Sequence, residues 1–107
     1  MSKYGNIRTE VDGIKFASKR EAVRYSQLKL LERAGEIEGL RRQVPYQIEV
    51  NGQKVCKYVA DAVYYAPAGP LARLVVEDCK GVRTAIYRLK AKLLKAAHGI
   101  EIQEVAA

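Results

Sequence analysis

Asn51-Gly52 stands between two runs that alternate apolar with polar residues, and this limits the fold more than anything else in the chain. Val44, Tyr46, Ile48 and Val50 alternate with Gln43, Gln47 and Glu49. A side-chain period of two belongs to a β-strand. Asn-Gly accepts positive φ at both central positions of a hairpin turn and so closes a two-residue loop. The chain must double back here, pairing residues 40–50 with a second strand over about 53–65. Pro45 has no amide to donate, which predicts an edge or an irregularity in the first strand. The second strand is apolar on both faces, with Val55, Val59 and Val63 on one and Cys56, Tyr58, Ala60, Ala62 and Tyr64 on the other. Such a strand is predicted to be central.

The remaining elements follow from the same reading. Pro67-Ala68-Gly69-Pro70 predicts a loop, and residues 71–80 a third strand. Ser18 starts a helix that runs to about Ala34, and Gly35 stops it. At 100° per residue, Val23, Gln27, Leu30, Leu31 and Ala34 share one face, flanked by Leu28, with Glu21 and Arg24 at its border. That stripe is the expected buried face. A second helix spans about 84–98, with Ile86, Leu89, Leu93 and Ala97 or Leu94 expected inward and Gly99 as its cap. His98 beside that glycine reads as a helix-end interaction and not as a catalytic group. Residues 100–105 read as a last short strand. Residues 1–17 form an N-terminal arm or a hairpin turning at Asp12-Gly13, and Lys3, Tyr4 and Arg8 in it could grip DNA or a partner chain. The order helix, three strands, helix, strand predicts an α/β fold, a small mixed sheet flanked by helices. The 107 residues fit a single domain.

Charge narrows the partners. Nineteen Lys and Arg face twelve Asp and Glu, for a formal net charge of +7. That excess favours a polyanion such as nucleic acid, the plainer reading being a basic soluble surface. No apolar run approaches the roughly 20 residues of a membrane span, and the first residues carry no apolar signal segment. Cys56 and Cys79 lie far apart and there is one histidine, so a zinc site is not expected. Two thiols without a disulfide framework fit a reducing cytoplasm.

The stretch VVEDCKG, residues 75–81, runs two carboxylates and an ammonium straight out of a buried strand. Alternation puts Leu74, Val76, Asp78 and Lys80 on one face and Val75, Glu77 and Cys79 on the other. The preceding strand carries Asp61 between Ala60 and Ala62. Ionised groups withdrawn from water cost several kcal/mol each unless paired or metal-bound. Two converging on adjacent strands repel, and a divalent cation resolves that conflict. The chemistry that uses such a set is metal-assisted phosphodiester hydrolysis. Asp61 and Asp78 would be ligands of Mg²⁺ or Mn²⁺, the Cys79 carbonyl a third, and Lys80 the cation that steadies developing negative charge. The plainer reading is a half-exposed Asp78–Lys80 pair at a strand end. Glu77 ranks behind Asp78 as a ligand because it faces away from Lys80.

Asp61, then Asp78-Cys79-Lys80, with Glu21 on the first helix, resembles the PD-(D/E)XK nuclease superfamily. More closely, FASKREAVRYSQLKLLERAGEIEGLRRQVPYQI, YVADAVYY, VVEDCKG and YRLKAKLL are similar to a family of small phage and prophage proteins akin to phage endonuclease I and Holliday-junction resolvases. The resemblance covers about residues 4–104. Two departures stand out: Ala60 replaces the proline of the superfamily name, and Asp78 stands where glutamate is more usual.

The resemblance implies a restriction-endonuclease-like core and a cytoplasmic, phage- or prophage-encoded endonuclease that cuts DNA, preferably branched or junction DNA, as a homodimer. It implies Mg²⁺ or Mn²⁺ as cofactor and no small-molecule cofactor. It also implies Glu21 as a helix contribution to the metal site, whereas Ser18-x-x-Glu21 is equally a capping box. Arg83, Tyr87 and Lys90 on the second helix, Arg41 and Arg42 entering the first strand, and Lys19 are candidate DNA contacts. For the helix trio the alternative is a solvated face with one partly buried tyrosine. Two rivals to the nuclease are a non-catalytic DNA-binding protein of the same fold and an accessory protein that binds an acidic protein.

Overall fold

The computed structural model describes residues 9–68, 70–79 and 83–105. The elements in chain order are β1 (Thr9–Val11), β2 (Ile14–Phe16), α1 (Lys19–Arg33), β3 (Glu38–Val50), β4 (Gln53–Ala68), β5 (Leu71–Cys79), α2 (Ala85–His98) and β6 (Gln103–Val105). β1 and β2 make a small hairpin. The main sheet has the order β3-β4-β5-β6; its first three strands form an antiparallel meander and β6 joins β5 in parallel. This is a mixed α/β architecture with two helices. The Pro45-bearing strand β3 lies at the edge and β4 is paired on both sides.

Local chemistry explains the boundaries. Asn51 and Gly52 both take positive φ, 51° and 78°, as the tight turn requires. Ser18 caps α1 by accepting the Glu21 amide, and Thr84 caps α2 by accepting the Tyr87 amide. Gly99 ends α2 in the left-handed region, φ 69°. His98 Nε2 lies 2.8 Å from the Gln47 carbonyl oxygen, tying that helix end to β3. The predicted loop at 67–70 is shorter than expected, because the β4–β5 ladder continues to Ala68 and Leu71. Among the described residues, no helix is long and apolar enough to cross a membrane.

The expected alternation along β4 is corrected at its centre. Tyr58 and Ala60 are buried with Ile48, Val63 and Val76 against Tyr87 and Leu94 of α2. Ala62 and Tyr64, also at even positions, are buried with Val75 on the opposite side, against Leu28 of α1 and Ile37. β3 does the same, for Val44 and Tyr46 pack with the α2 cluster and Leu40 with the α1 cluster. Register is kept through the change, Val44 pairing with Ala60 and Arg42 with Ala62. The rung between these pairs holds Gln43 and Asp61, and Gln43 has φ 52°. Both strands therefore exchange faces at one rung. The two helices cover different halves of the hairpin, and the exchange lets each half bury its own apolar set.

Both expected helix faces are corrected in part. In α1 the buried residues are Ala22 and Leu28, while Val23, Leu31 and especially Leu30, at 62%, are exposed. The inner face is instead the one that carries Arg24 to a buried acid of the sheet. In α2 Leu94 is buried and Leu93 packs against its cluster, as expected, but Tyr87 is buried too, while Ile86 and Leu89 are 68% and 58% exposed. Tyr87 turns inward because its large ring fills the core and its hydroxyl finds a partner, Glu104, at 2.8 Å.

Candidate active site

The β4–β5 ladder ends at Ala62 and Glu77. One step further, Asp78 and Cys79 pair on their other side with Glu104 and Val105 of β6. Here Asp61 Oδ2 accepts the Cys79 amide at 2.9 Å, so a side chain takes over where the ladder stops. Asp61 sits on the rung where β4 changes face. Its carboxyl therefore engages Glu21, on the α1 side, and Asp78, whose hydroxyl partner Tyr58 belongs to the α2 side. Burial holds the Asp61 carboxyl above the ordinary 3.8; the Cys79 amide and Asp78 draw it back, and the negative charge of Glu21 raises it further.

Glu21 serves two ends. Its amide donates to Ser18 Oγ at 3.2 Å, and the Ser18 hydroxyl donates to Glu21 Oε2 at 3.3 Å. This is a capping box closed through the hydroxyl, and the same carboxylate faces Asp61. Asp78 is 2% exposed and accepts the Tyr58 hydroxyl. Burial first, and then that bond, push the Tyr58 phenol far above its usual range, so it remains a donor.

Glu77, the second-ranked ligand, is occupied. It is 1% exposed and accepts Arg24 Nε at 2.9 Å and Nη2 at 2.8 Å, together with the Tyr64 hydroxyl. Burial and this bond push the Tyr64 phenol up to about 12. The Arg24 bridge is the functional pairing that sequence reading missed. Its signal was a lone glutamate in an apolar strand, which demands a cation, but nothing local says which one.

A cavity of about 30 Å³ lies between α1 and the sheet, lined among others by Glu21, Gln43, Asp61, Glu77 and Cys79. That is room for a water or two. Among the described residues, no three side chains have their ligating atoms already gathered about one point. The approach is pairwise, Asp61 to Asp78 and Asp61 to Glu21. The donors are hard carboxylate oxygens, which suit Mg²⁺ or Mn²⁺ better than softer metals.

The other predicted site residues divide. Lys80 lies outside the described residues, as do Lys3, Tyr4 and Arg8. Cys79 is half-buried and ends β5. Tyr87 is not a surface contact, since it is buried and bonded to Glu104. Arg83 is exposed but pairs with Glu104 at 2.6 Å. Lys90 is half-buried; Lys19 and Arg41 are exposed. Arg42 lies over the Phe16 ring, 4.7 Å from its centre, and so clips the β1–β2 hairpin to β3.

The raised Asp61 value carries a sign for stability. A carboxyl whose folded value lies above its unfolded one favours the fold while protonated, and that contribution is lost as pH rises from about the ordinary value through the raised one. Measured by urea denaturation across this range, the parent should lose stability relative to Asp61→Asn as pH rises. A gap that stays constant or closes would contradict the assignment.

A family model described as "Protein of unknown function (DUF1064)" matches residues 1–105. No curated protein and no solved structure matches the chain significantly.

Proposed function

The chain belongs to the DUF1064 family, and from that footing we propose that it is a metal-dependent DNA endonuclease with a restriction-endonuclease-like core of the PD-(D/E)XK type. The observation that carries this is Asp61, a half-buried carboxyl raised above its ordinary value and engaged with Asp78 on one side and Glu21 on the other. Such an arrangement costs the metal-free fold stability and is offset when a cation binds.

Asp61, Asp78 and Glu21 would hold Mg²⁺ or Mn²⁺, with the Cys79 carbonyl as a further oxygen. The ion, when bound, supplies Lewis acidity and a more acidic water. Lys80 directly follows β5 and would orient the attacking water and steady charge on the phosphate. Arg24 and Glu77 neutralise each other behind the site and leave the three acids to the metal. Exposed Lys19 and Arg41 would meet phosphates, a contribution that weakens with salt. By likeness to resolvases the preferred substrate is branched or junction DNA, cut by a homodimer to leave 5′-phosphate and 3′-hydroxyl ends.

The test is cleavage of supercoiled plasmid and of a four-way junction in Mg²⁺ or Mn²⁺. The proposal expects nicking that stops on chelation. The deep burial of Asp78 favours a second reading, a DNA-binding module without activity. Salt-sensitive binding with no cleavage of any DNA form would replace the first reading with the second.

A further inference from the structure

Two tyrosine–carboxylate pairs stand on neighbouring positions of β5 and opposite faces of the sheet. Tyr64 donates to Glu77 on the α1 side; Tyr58 donates to Asp78 on the α2 side. Their surroundings differ. Glu77 also receives both arms of Arg24, so its charge is balanced without Tyr64. Asp78 is engaged with another acid, Asp61. Two carboxyls in hydrogen-bonding contact share a proton; once both ionise they repel, and Asp78 then keeps its place only where another group holds it. A group in position to do so is the Tyr58 hydroxyl, on a ring that is itself buried in the α2 cluster and cannot swing.

We infer that Tyr58 is a positioning residue for divalent-cation binding: its hydroxyl ties one side of the Asp78 carboxylate and so presents the other toward Asp61. The inference rests on the metal-dependent reading above. Partners of this kind orient ligating carboxylates, and their loss typically weakens metal affinity by about 10–100-fold. Tyr58 touches no substrate in this scheme. Its removal should raise the metal concentration needed and leave the chemistry at saturating metal nearly intact.

The experiment compares the parent, Tyr58→Phe and Tyr64→Phe in Mn²⁺ titrations, read by the rise in thermal unfolding temperature and by the nicking rate. Tyr58→Phe should need about 10–100-fold more Mn²⁺ for half-saturation by both readouts, while its rate at saturating Mn²⁺ stays close to the parent's. Tyr64→Phe loses the matching bond on the other face, so it should lower the unfolding temperature and leave half-saturation unchanged. A merely structural role would move both variants alike. Equal Mn²⁺ requirement in parent and Tyr58→Phe overturns the inference, as does an equal shift in Tyr64→Phe. Sucrose, which strengthens burial, is included for all three chains. A Tyr58→Phe chain that stays unfolded there while Tyr64→Phe folds also overturns it, since the hydroxyl then holds the fold and not the ligand. A parent that neither gains stability from Mn²⁺ nor nicks DNA removes the nuclease reading itself. That result is distinct from a responsive parent with an unaffected variant.

Discussion

Arg24→Met will destabilise the domain by about 3–5 kcal/mol, the usual cost of stranding one member of a buried ion pair. Glu77 is almost wholly enclosed, and its bonds run to Arg24 through two nitrogens and to the Tyr64 hydroxyl. Methionine keeps much of the arginine stem's packing but none of its charge, so the carboxylate is left with one neutral donor. Against a total of about 5–15 kcal/mol for a domain, that loss leaves a partly unfolded population. Urea denaturation reads it directly. The triple change Arg24→Met, Glu77→Leu and Tyr64→Phe should recover most of the loss, because an apolar set of similar volume carries no unmet polar group. A single Arg24→Met within about 1 kcal/mol of the parent would mean that water screens the pair, as it does for surface bridges.

Arg24 and Glu77 also mark where sequence reading stopped. They stand 53 positions apart, and no local pattern joins them. What was legible was local: the Asn51-Gly52 turn, the Ser18 cap, the Gly99 stop, and the order of helices and strands. Each depends on the conformational preference of a few neighbouring residues. The helix faces were legible only in part, through Leu28, Leu93 and Leu94. Apolar spacing puts Val23, Leu30 and Leu31 together, but the sheet beneath α1 offers Glu77, and the face holding Arg24 turns inward to meet it. The face exchange at Gln43 and Asp61 was hidden for a related reason. A period-two pattern assumes unbroken extended backbone, and a glutamine at φ 52° breaks that assumption without leaving a Gly or Pro to announce it. Asp61, Asp78 and Glu21 were all named from sequence, yet the route by which Asp61 approaches the other two differs. Asp61 and Asp78 were expected to converge from regular adjacent strands; the fold uses a strand that changes face to carry Asp61 between the two sides.

Asp61→Asn should reduce nicking by about a hundredfold or more, since a catalytic metal supplies several kcal/mol to the transition state. The same change should leave stability at neutral pH equal or higher. The parent carboxyl is disfavoured in its charged form by burial and by Glu21, whereas an asparagine oxygen can still accept the Cys79 amide. Activity lost with stability gained is the signature of a residue kept for chemistry. A structural carboxylate gives the reverse, as Glu77 would. Lys80→Ala should also abolish cutting but leave fold and metal uptake largely intact, because an ammonium beside the ion steadies charge without ligating it. Normal nicking by that variant would remove the lysine from the mechanism.

Calorimetric titration of Mn²⁺ into the parent and into Asp61→Asn goes most directly to the idea that this half-buried acid exists for a divalent ion. Saturable uptake by the parent, absent or at least tenfold weaker in the asparagine variant, is the expected result. Equal uptake by the two chains, or none by the parent, would contradict it.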